Sequence, residues 1–275
     1  MNILSCPICQ HPLMLSNKAY DCKNNHSFDI SKDNYLNFIL QNKGKKNPSG
    51  DNKEMINARN CFLNKGYYYI LKKNLCNISA RYAEDFPVLI DAGCGEGYYI
   101  AHITDFLLCN GKSPQVFGID ISKSAIKKAA KRTKDVTFLV VNAFDIPIFI
   151  NSIDIVFSIF APIAKEEFKR ILKLDGYLII VSPGKEHLFE LKTFLYDKAY
   201  LNEQNEEKIE GFEMLETITA SNNIEINNKE DINNLFLMTP YYWKTSIEAS
   251  NKLKELESLK TKIQFNISIY KKTSN

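Results

Sequence analysis

Residues 88–97 read VLIDAGCGEG: an apolar, β-branched run ends in a carboxylate, Asp91, and then passes through Gly93, Gly95 and Gly97. A helical pattern resumes at Tyr98. Strand, tight loop and helix start, in that order, let backbone N–H groups approach a bound cofactor closely. The G-x-G-x-G spacing is tighter than the G-x-x-x-x-G-K-S/T phosphate loop, and no Lys-Ser/Thr follows it. A second constellation lies at the N-terminus, where Cys6-x2-Cys9 is followed after twelve residues by Cys22-x3-His26. Three thiolates and an imidazole suit a tetrahedral zinc ion, and two short knuckles are how a small chain builds such a site. Four protein ligands leave no open position, so this zinc is structural. His11 is the competing ligand. It lies only two residues beyond Cys9, where the loop would strain to coordinate, so His26 is preferred. The plainer reading is a set of small buried thiols.

The elements that must position the glycine loop can be read on either side of it. QVFGIDIS (115–122) is another apolar run ending in an acid, Asp120, 29 positions after Asp91, about one βαβ unit. An acid at the end of a second strand is placed to accept hydrogen bonds from two ribose hydroxyls. Alternatively, Asp120 caps the helix that begins near Ser122. A third run, VTFLVVNAF (136–144), again ends in small and polar residues. A nicotinamide cofactor would call for the same strand pattern. The glycine spacing with its preceding Asp, however, resembles motif I of the class I S-adenosylmethionine methyltransferases. That resemblance implies an adenine ring held at Asn142, Ala143 and Phe144.

Length and composition fit an enzyme with one full-sized core and a smaller module beside it: 275 residues, 45% hydrophobic. No apolar stretch approaches the ~20 residues of a membrane span, and the N-terminus lacks a basic-then-apolar leader. Seven cysteines in one cluster plus scattered singles (Cys61, Cys76, Cys94, Cys109) argue for a reducing cytoplasm rather than a disulfide framework. A net charge of +3 is too small to identify a partner.

The expected organisation is a zinc-binding, RNA-recognition module (1–40), a linker with helices (41–84), and a methyltransferase domain (85–275). The module is too short for a core of its own, so metal ligation would supply its folding free energy. The stretch 43–53, with Gly44, Pro48, Gly50 and four lysines, reads as an exposed linker. Met55, Ala58 and Phe62 recur at helical spacing, Gly66 is a helix terminator, and a second helix runs from the three tyrosines 67–69 toward Arg81. Further strands are expected at 153–159 and 176–182, and helices at 165–172 and 186–200. A final strand pair is expected at 214–220 and 261–270, with helical patterns at 231–237 and 246–259. Glu166 and Glu167 read as the start of a solvated helix, and the lysine-dense run 123–134 as a solvated helix face.

The residues then carry a more specific resemblance. CPxC is joined by C-x3-H-x-F-D, Y-x-N, G-D-x2-EM-x2-AR-x2-FL-x2-G-x-Y and DAGCGEGYY. It continues through G-x-D-x-SK-x-AIK-x-AAKR, the Ala-Pro of 161–162, PG-x2-HL-x-EL, MTPYYWK (238–244) and the terminal FNISIY. Together they resemble the zinc-containing bacterial 23S ribosomal RNA (guanine-N1) methyltransferases, over nearly the whole chain. The fold implied is a doubly wound, Rossmann-like α/β class I methyltransferase sheet with a small N-terminal zinc module. The implied zinc ligands are Cys6, Cys9, Cys22 and His26, and the implied cofactor contacts are Tyr68, Gly95, Glu96 and His187. With the glycine-loop reading, the expected cofactor set is Tyr68, Asp91, Gly93, Gly95, Glu96, Gly97, Asp120, Asn142, Ala143 and His187.

The implied reaction moves a methyl group from S-adenosylmethionine to N1 of a guanine in a 23S rRNA hairpin loop, in the cytoplasm, by a homodimer with no membrane partner. Asn60 departs from the pattern, which often has a base there. The segment SIFAP (158–162) has neither the Asp/Asn-Pro-Pro-Tyr/Phe set of amine methylation nor the Pro-Cys nucleophile of cytosine-C5 enzymes. Cys94, inside the loop, is a poor nucleophile, and no proton acceptor can be assigned. RNA contact is expected from the zinc module, the lysine-bearing linker and Arg59 on phosphates, with Tyr35 and Tyr67 as exposed stacking residues. Two rivals stand beside this reading. One is a tRNA or small-molecule methyltransferase with a zinc ribbon; the other is a non-catalytic rRNA-binding factor that retains a cofactor fold.

Overall fold

The computed structural model describes residues 3–39, 51–204 and 208–274. Three short strands, β1 (Met14–Ser16), β2 (Ala19–Asp21) and β3 (Ser27–Asp29), form an antiparallel sheet, and β4 (Tyr35–Asn37) follows. Helices α1 (Lys53–Asn64) and α2 (Tyr69–Tyr82) lead into β5 (Val88–Ala92), α3 (Tyr98–Cys109), β6 (Gln115–Asp120), α4 (Lys123–Arg132) and β7 (Thr137–Val140). The chain then crosses to β8 (Ile153–Ile159), α5 (Lys165–Ile171), β9 (Leu172–Pro183) and α6 (Phe189–Leu195). It closes with β10 (Phe212–Ile226), α7 (Lys229–Leu237), a 3-10 turn (Pro240–Lys244), α8 (Ile247–Lys254) and β11 (Leu259–Lys272).

The main sheet has the order β10-β11-β9-β8-β5-β6-β7-β4. Its ladders from β4 to β9 are parallel, and β11 pairs antiparallel with both β9 and β10. Strands β5, β6 and β8 are near-continuous apolar runs because helices cover both faces. After β5 the chain winds outward through β6 and β7, then returns to the other side of β5 at β8. That reversal opens a crevice beyond the C-terminal ends of β5 and β8, the place where open α/β sheets bind ligands. Helix α1 is capped by Asn52, whose Oδ1 accepts the Met55 N–H at 2.9 Å. It buries Met55, Ala58 and Phe62, as their spacing predicts, and Gly66 ends the turn beyond it at φ +80°.

The expected boundary at residue 40 does not separate two packing units. β4 is the edge strand of the main sheet, paired with β7 from Tyr35↔Phe138 to Asn37↔Val140. Leu4 bridges Ile148, and the Ser5 N–H donates to the Pro147 carbonyl at 2.9 Å. Ile3, Leu4, Leu13 and Phe28 share one apolar cluster with Leu139, Ile148 and Phe168. The module therefore uses the main domain's core as well as its own metal ligands. The lysine-bearing stretch 43–50 of the expected linker lies outside the described residues.

Two other differences have local causes. The helix expected over 186–200 is only α6, because Leu188 enters it from the left-handed region (φ +55°) and the chain turns extended at Tyr196. Beyond that point buried Lys192 donates back to the Tyr200 carbonyl (3.1 Å) and Asn202 Oδ1 (2.6 Å), which draws residues 200–202 over the helix. Glu167 does start α5, yet it is not simply solvated: it ion-pairs with Arg170 and accepts the Ile146 N–H.

Candidate cofactor cavity and metal centre

The crevice is a cavity of about 790 Å³, within the range of small-molecule sites. Its floor is the glycine loop, and all three glycines have positive φ: Gly93 +85°, Gly95 +56° and Gly97 +79°. At Gly93 a Cβ would lie 2.5 Å from the Ala161 Cβ, so the loop and the 160–162 turn touch only because that residue is glycine. Asp120 ties the loop down. One of its oxygens accepts the Gly95 N–H at 3.0 Å and the other the Ser122 N–H at 2.7 Å. Ser122, not Asp120, caps α4, its hydroxyl accepting from the Ala125 N–H.

Asp91 is fully buried beneath the loop, and its Oδ1 has no hydrogen-bond partner. Burial first, and the neighbouring Asp120 charge second, push its carboxyl up to about 8. A buried acid without a partner is costly unless a cationic group arrives beside it. S-adenosylmethionine, with sulfonium and ammonium centres, meets that demand, so the residues present fit the cofactor. Glu96 also lines the cavity, but its carboxylate is engaged by Arg132 and by Asn60 Nδ2 (3.1 Å). Asn60, which stands where a base is usual, thus serves as a hydrogen-bond donor.

Tyr68 and His187 come from distant parts of the chain and meet on one wall, with Tyr68 Oη 3.4 Å from His187 Nε2. His187 Nδ1 accepts the Gln264 N–H at 3.2 Å, which assigns the imidazole proton to Nε2. Burial, and then the charge of Lys192, lower the imidazole to about 3, so the ring is neutral. Asn142, Ala143 and Phe144 line the opposite end, where Asn142 Oδ1 accepts the Phe144 N–H at 3.1 Å. Cys94 is buried and its thiol is pushed well above its ordinary value by burial and by Asp91, so no thiolate is available there.

The Cys and His constellation closes as the knuckles suggest. The ligand atoms of Cys6, Cys9, Cys22 and His26 all lie within 4.8 Å of one another. Cys6 and Cys22 Sγ each sit 3.4 Å from His26 Nδ1, and Cys9 and Cys22 Sγ are 3.6 Å apart. Tetrahedral zinc with bonds near 2.3 Å sets ligand atoms about 3.8 Å apart, so the set fits the ion. Gln10 (φ +59°) and Asn25 (φ +60°) make the two tight turns. The Gln10 N–H donates to the Cys6 carbonyl and the Asn25 N–H to the Cys22 carbonyl. His11 is outside this set: its Nδ1 lies 3.5 Å from Asn24 Nδ2, and its backbone, then its side chain, stay close enough to Cys9 to lower that thiol.

Several expectations about aromatic and basic residues are corrected. Tyr35 is buried in the core, and Tyr67 is half-buried, stacked on Phe62 and donating to Asp231 at 2.9 Å. The exposed aromatics at the cavity are instead Phe144 (59% exposed) and Phe160 (47%). Phe160 has φ +55°, a strained backbone for a bulky residue. Arg59 lies on the cavity wall over Gly95, paired with Asp51 and donating to the Met238 carbonyl at 3.4 Å. Asp51, Tyr99 and Met238–Tyr241 complete that wall. The patterns GD-x2-EM-x2-AR, DAGCGEGYY and MTPYYWK contained these residues, but spacing alone did not bring them to the cavity, and Arg59 was expected on RNA phosphates.

Glycine loop, strand-end acids and crevice define a class I S-adenosylmethionine-dependent methyltransferase, built here with a zinc ribbon. Residues 85–254 match the methyltransferase domain family, and residues 4–46 match the zinc-ribbon family described as RlmA, N-terminal. A chain from the complex of the Haloferax volcanii methyltransferase activator Trm112 with a methyltransferase superposes at TM-score 0.52. It has 20% identity and covers 82% of this chain and 100% of that one, which shows a shared fold. The Bacillus subtilis (strain 168) protein YxjB, which carries the name of a 23S rRNA (guanine-N1) methyltransferase, is 30% identical over 98% of this chain and 96% of its own. The Streptomyces fradiae 23S rRNA (guanine(748)-N1) methyltransferase is 29% identical over 68% of this chain and 66% of its own. The chain belongs to the 23S rRNA (guanine-N1) methyltransferase family. No helix among the described residues is long and apolar enough to cross a membrane.

Proposed function

We propose that this enzyme transfers a methyl group from S-adenosylmethionine to N1 of a guanine in a hairpin loop of 23S ribosomal RNA. The observation that carries the reading is the continuity of the likeness to the Bacillus subtilis relative. At 98% of the chain, it takes in the zinc cluster, the glycine loop and the 238–244 wall together. A tRNA or small-molecule enzyme needs the glycine loop but not that combination.

The cofactor, when bound, supplies a methyl group activated by its sulfonium. The chain's own task is then largely positioning. Asp120 holds the glycine loop and would face the ribose, Asp91 would sit beneath the cationic end, and Asn142 to Phe144 would border the adenine. Tyr68 and neutral His187, which meet on one wall, would close the methionyl side. Gly93, Gly95 and Gly97 keep the floor flat, and the Glu96 backbone continues it. Cys6, Cys9, Cys22 and His26 hold a structural zinc. The target guanine leaves its stack to reach N1, and Phe160 and Phe144 at the mouth offer it ring faces. Support for a homodimer comes from the family resemblance, in which two zinc modules frame one RNA cleft. A cytoplasmic location follows from the ribosomal substrate.

Primer extension on protein-free 23S rRNA, after incubation with the purified protein and S-adenosylmethionine, tests the reading. N1 methylation blocks the Watson–Crick edge, so reverse transcriptase stops one nucleotide before the target. A single new stop in a hairpin loop supports the proposal and identifies which guanine is modified. No stop from a protein that binds cofactor and zinc redirects the search to tRNA or a small molecule.

A further inference from the structure

Among the described residues lining the cavity, one side chain is cationic: Arg59. Four are carboxylates, Asp51, Asp91, Glu96 and Asp120, and Glu96 is already neutralised by Arg132 from outside the cavity. The cofactor itself carries two cationic centres and one anionic one, the methionyl carboxylate. Matching charge to charge leaves Asp91 for the cationic end and Arg59 for the carboxylate. Position agrees with charge. The Arg59 Nη1 lies 3.7 Å from where a Cβ on Gly95 would stand, directly over the floor. Arg59 is also close enough for its charge to act on the Tyr68 and Tyr99 hydroxyls and on Asp120. Tyr99 Oη is buried and has no hydrogen-bond partner. The Tyr68 hydroxyl faces the Nε2–H of His187 as an acceptor, which leaves its own proton to donate elsewhere.

We propose that Arg59 is the residue that binds the cofactor's carboxylate, with the Tyr68 and Tyr99 hydroxyls beside it. The proposal rests on the S-adenosylmethionine reading of the cavity and assigns one chemical group of that cofactor to one side chain. Asp51 need not leave. A guanidinium has five N–H donors in a planar fork, so it can keep Asp51 and the Met238 carbonyl and still offer N–H groups to a second carboxylate.

The test compares S-adenosylmethionine with its decarboxylated form, which keeps the sulfonium and ammonium and lacks only the carboxylate. Calorimetry on the full-length, zinc-loaded protein should find S-adenosylmethionine bound roughly 10- to 100-fold tighter, the scale of a charge-assisted hydrogen bond. Arg59→Gln should lose that preference, binding both ligands within about threefold of each other. Arg59→Met, which keeps the aliphatic stem and its packing, should do the same, and it serves if Arg59→Gln fails to fold. A preference that persists in the variants overturns the proposal. So does an equal loss of affinity for both ligands, which would make Arg59 a support for the glycine loop. If the wild type binds neither ligand, the S-adenosylmethionine reading itself fails, an outcome distinct from either of these.

Discussion

Asp91 holds a buried carboxyl with an oxygen that nothing in the protein satisfies, and its affinity for protons follows from that. In the cofactor-free protein it titrates near 8, far above an ordinary carboxylate. The folded state therefore binds a proton that the unfolded chain has released between about pH 4 and pH 8. Stability of the cofactor-free enzyme should fall as pH rises through that window, as urea midpoints at several pH values would read. Cofactor affinity should run the opposite way, because cationic groups beside Asp91 favour its ionised form. Calorimetry near pH 7 in buffers of different ionisation heat should register release of about one proton per cofactor bound, and Asp91→Asn should abolish it. On the exposed side of the same cavity, Phe160→Ala should leave cofactor affinity within about twofold. It should lower kcat/KM for RNA by roughly 5- to 100-fold, the scale of one base stacked on an aromatic ring. An unchanged RNA profile would remove Phe160 from base recognition.

At the level of elements, the glycine loop works because three residues adopt backbones that side chains resist, and because it meets the 160–162 turn with no room for a methyl group. Gly93→Ala combines positive φ with a Cβ 2.5 Å from Ala161. It should cost about 2–5 kcal/mol of stability from strain and overpacking, measured by denaturant unfolding, and it should weaken cofactor binding as well. The same loop shows what a sequence discloses. β5, β6 and β8 could be read because a buried parallel strand is an apolar run, and two of these runs ended in the acids that mark a cofactor edge. The length of α6 could not be read: it is set by Leu188 in the left-handed region and by buried Lys192 bonding residues 200 and 202. Tyr35 looked exposed among polar neighbours, yet it is a β4 residue turned into the core by pairing with β7. Arg59 had a legible motif and was expected on RNA phosphates; its place on the cavity wall was not legible, because its neighbours Met238 and Gly95 are far away in the chain.

Across the whole molecule, the zinc ribbon and the methyltransferase sheet are joined by packing and by a strand. Cys22→Ser should remove one zinc per chain by metal analysis and abolish rRNA methylation. It should leave S-adenosylmethionine binding within about threefold, because every cavity wall described here is carried by residue 51 or later. Loss of cofactor binding to the same degree as methylation would mean that the ribbon shapes the cavity itself. The family-wide combination of ribbon, loop and 238–244 wall was visible in the residues from the start. The way the ribbon leans on Ile148 and Phe168 was not, since those contacts join positions more than a hundred residues apart.

β4, finally, has a bearing on how this protein fails. It is three residues long and covers β7, a parallel strand whose outer N–H and C=O groups would otherwise face water. An uncovered, apolar edge of this kind is a template for self-association. β4 is tethered to the zinc knuckles by only the few residues between His26 and Tyr35, so stripping the metal loosens the cover as well as the ribbon. Chelator treatment at 37 °C should therefore raise light scattering faster than it unfolds the parallel sheet by circular dichroism. A cell short of zinc would then lose this enzyme to aggregation rather than store it as a dormant apoprotein.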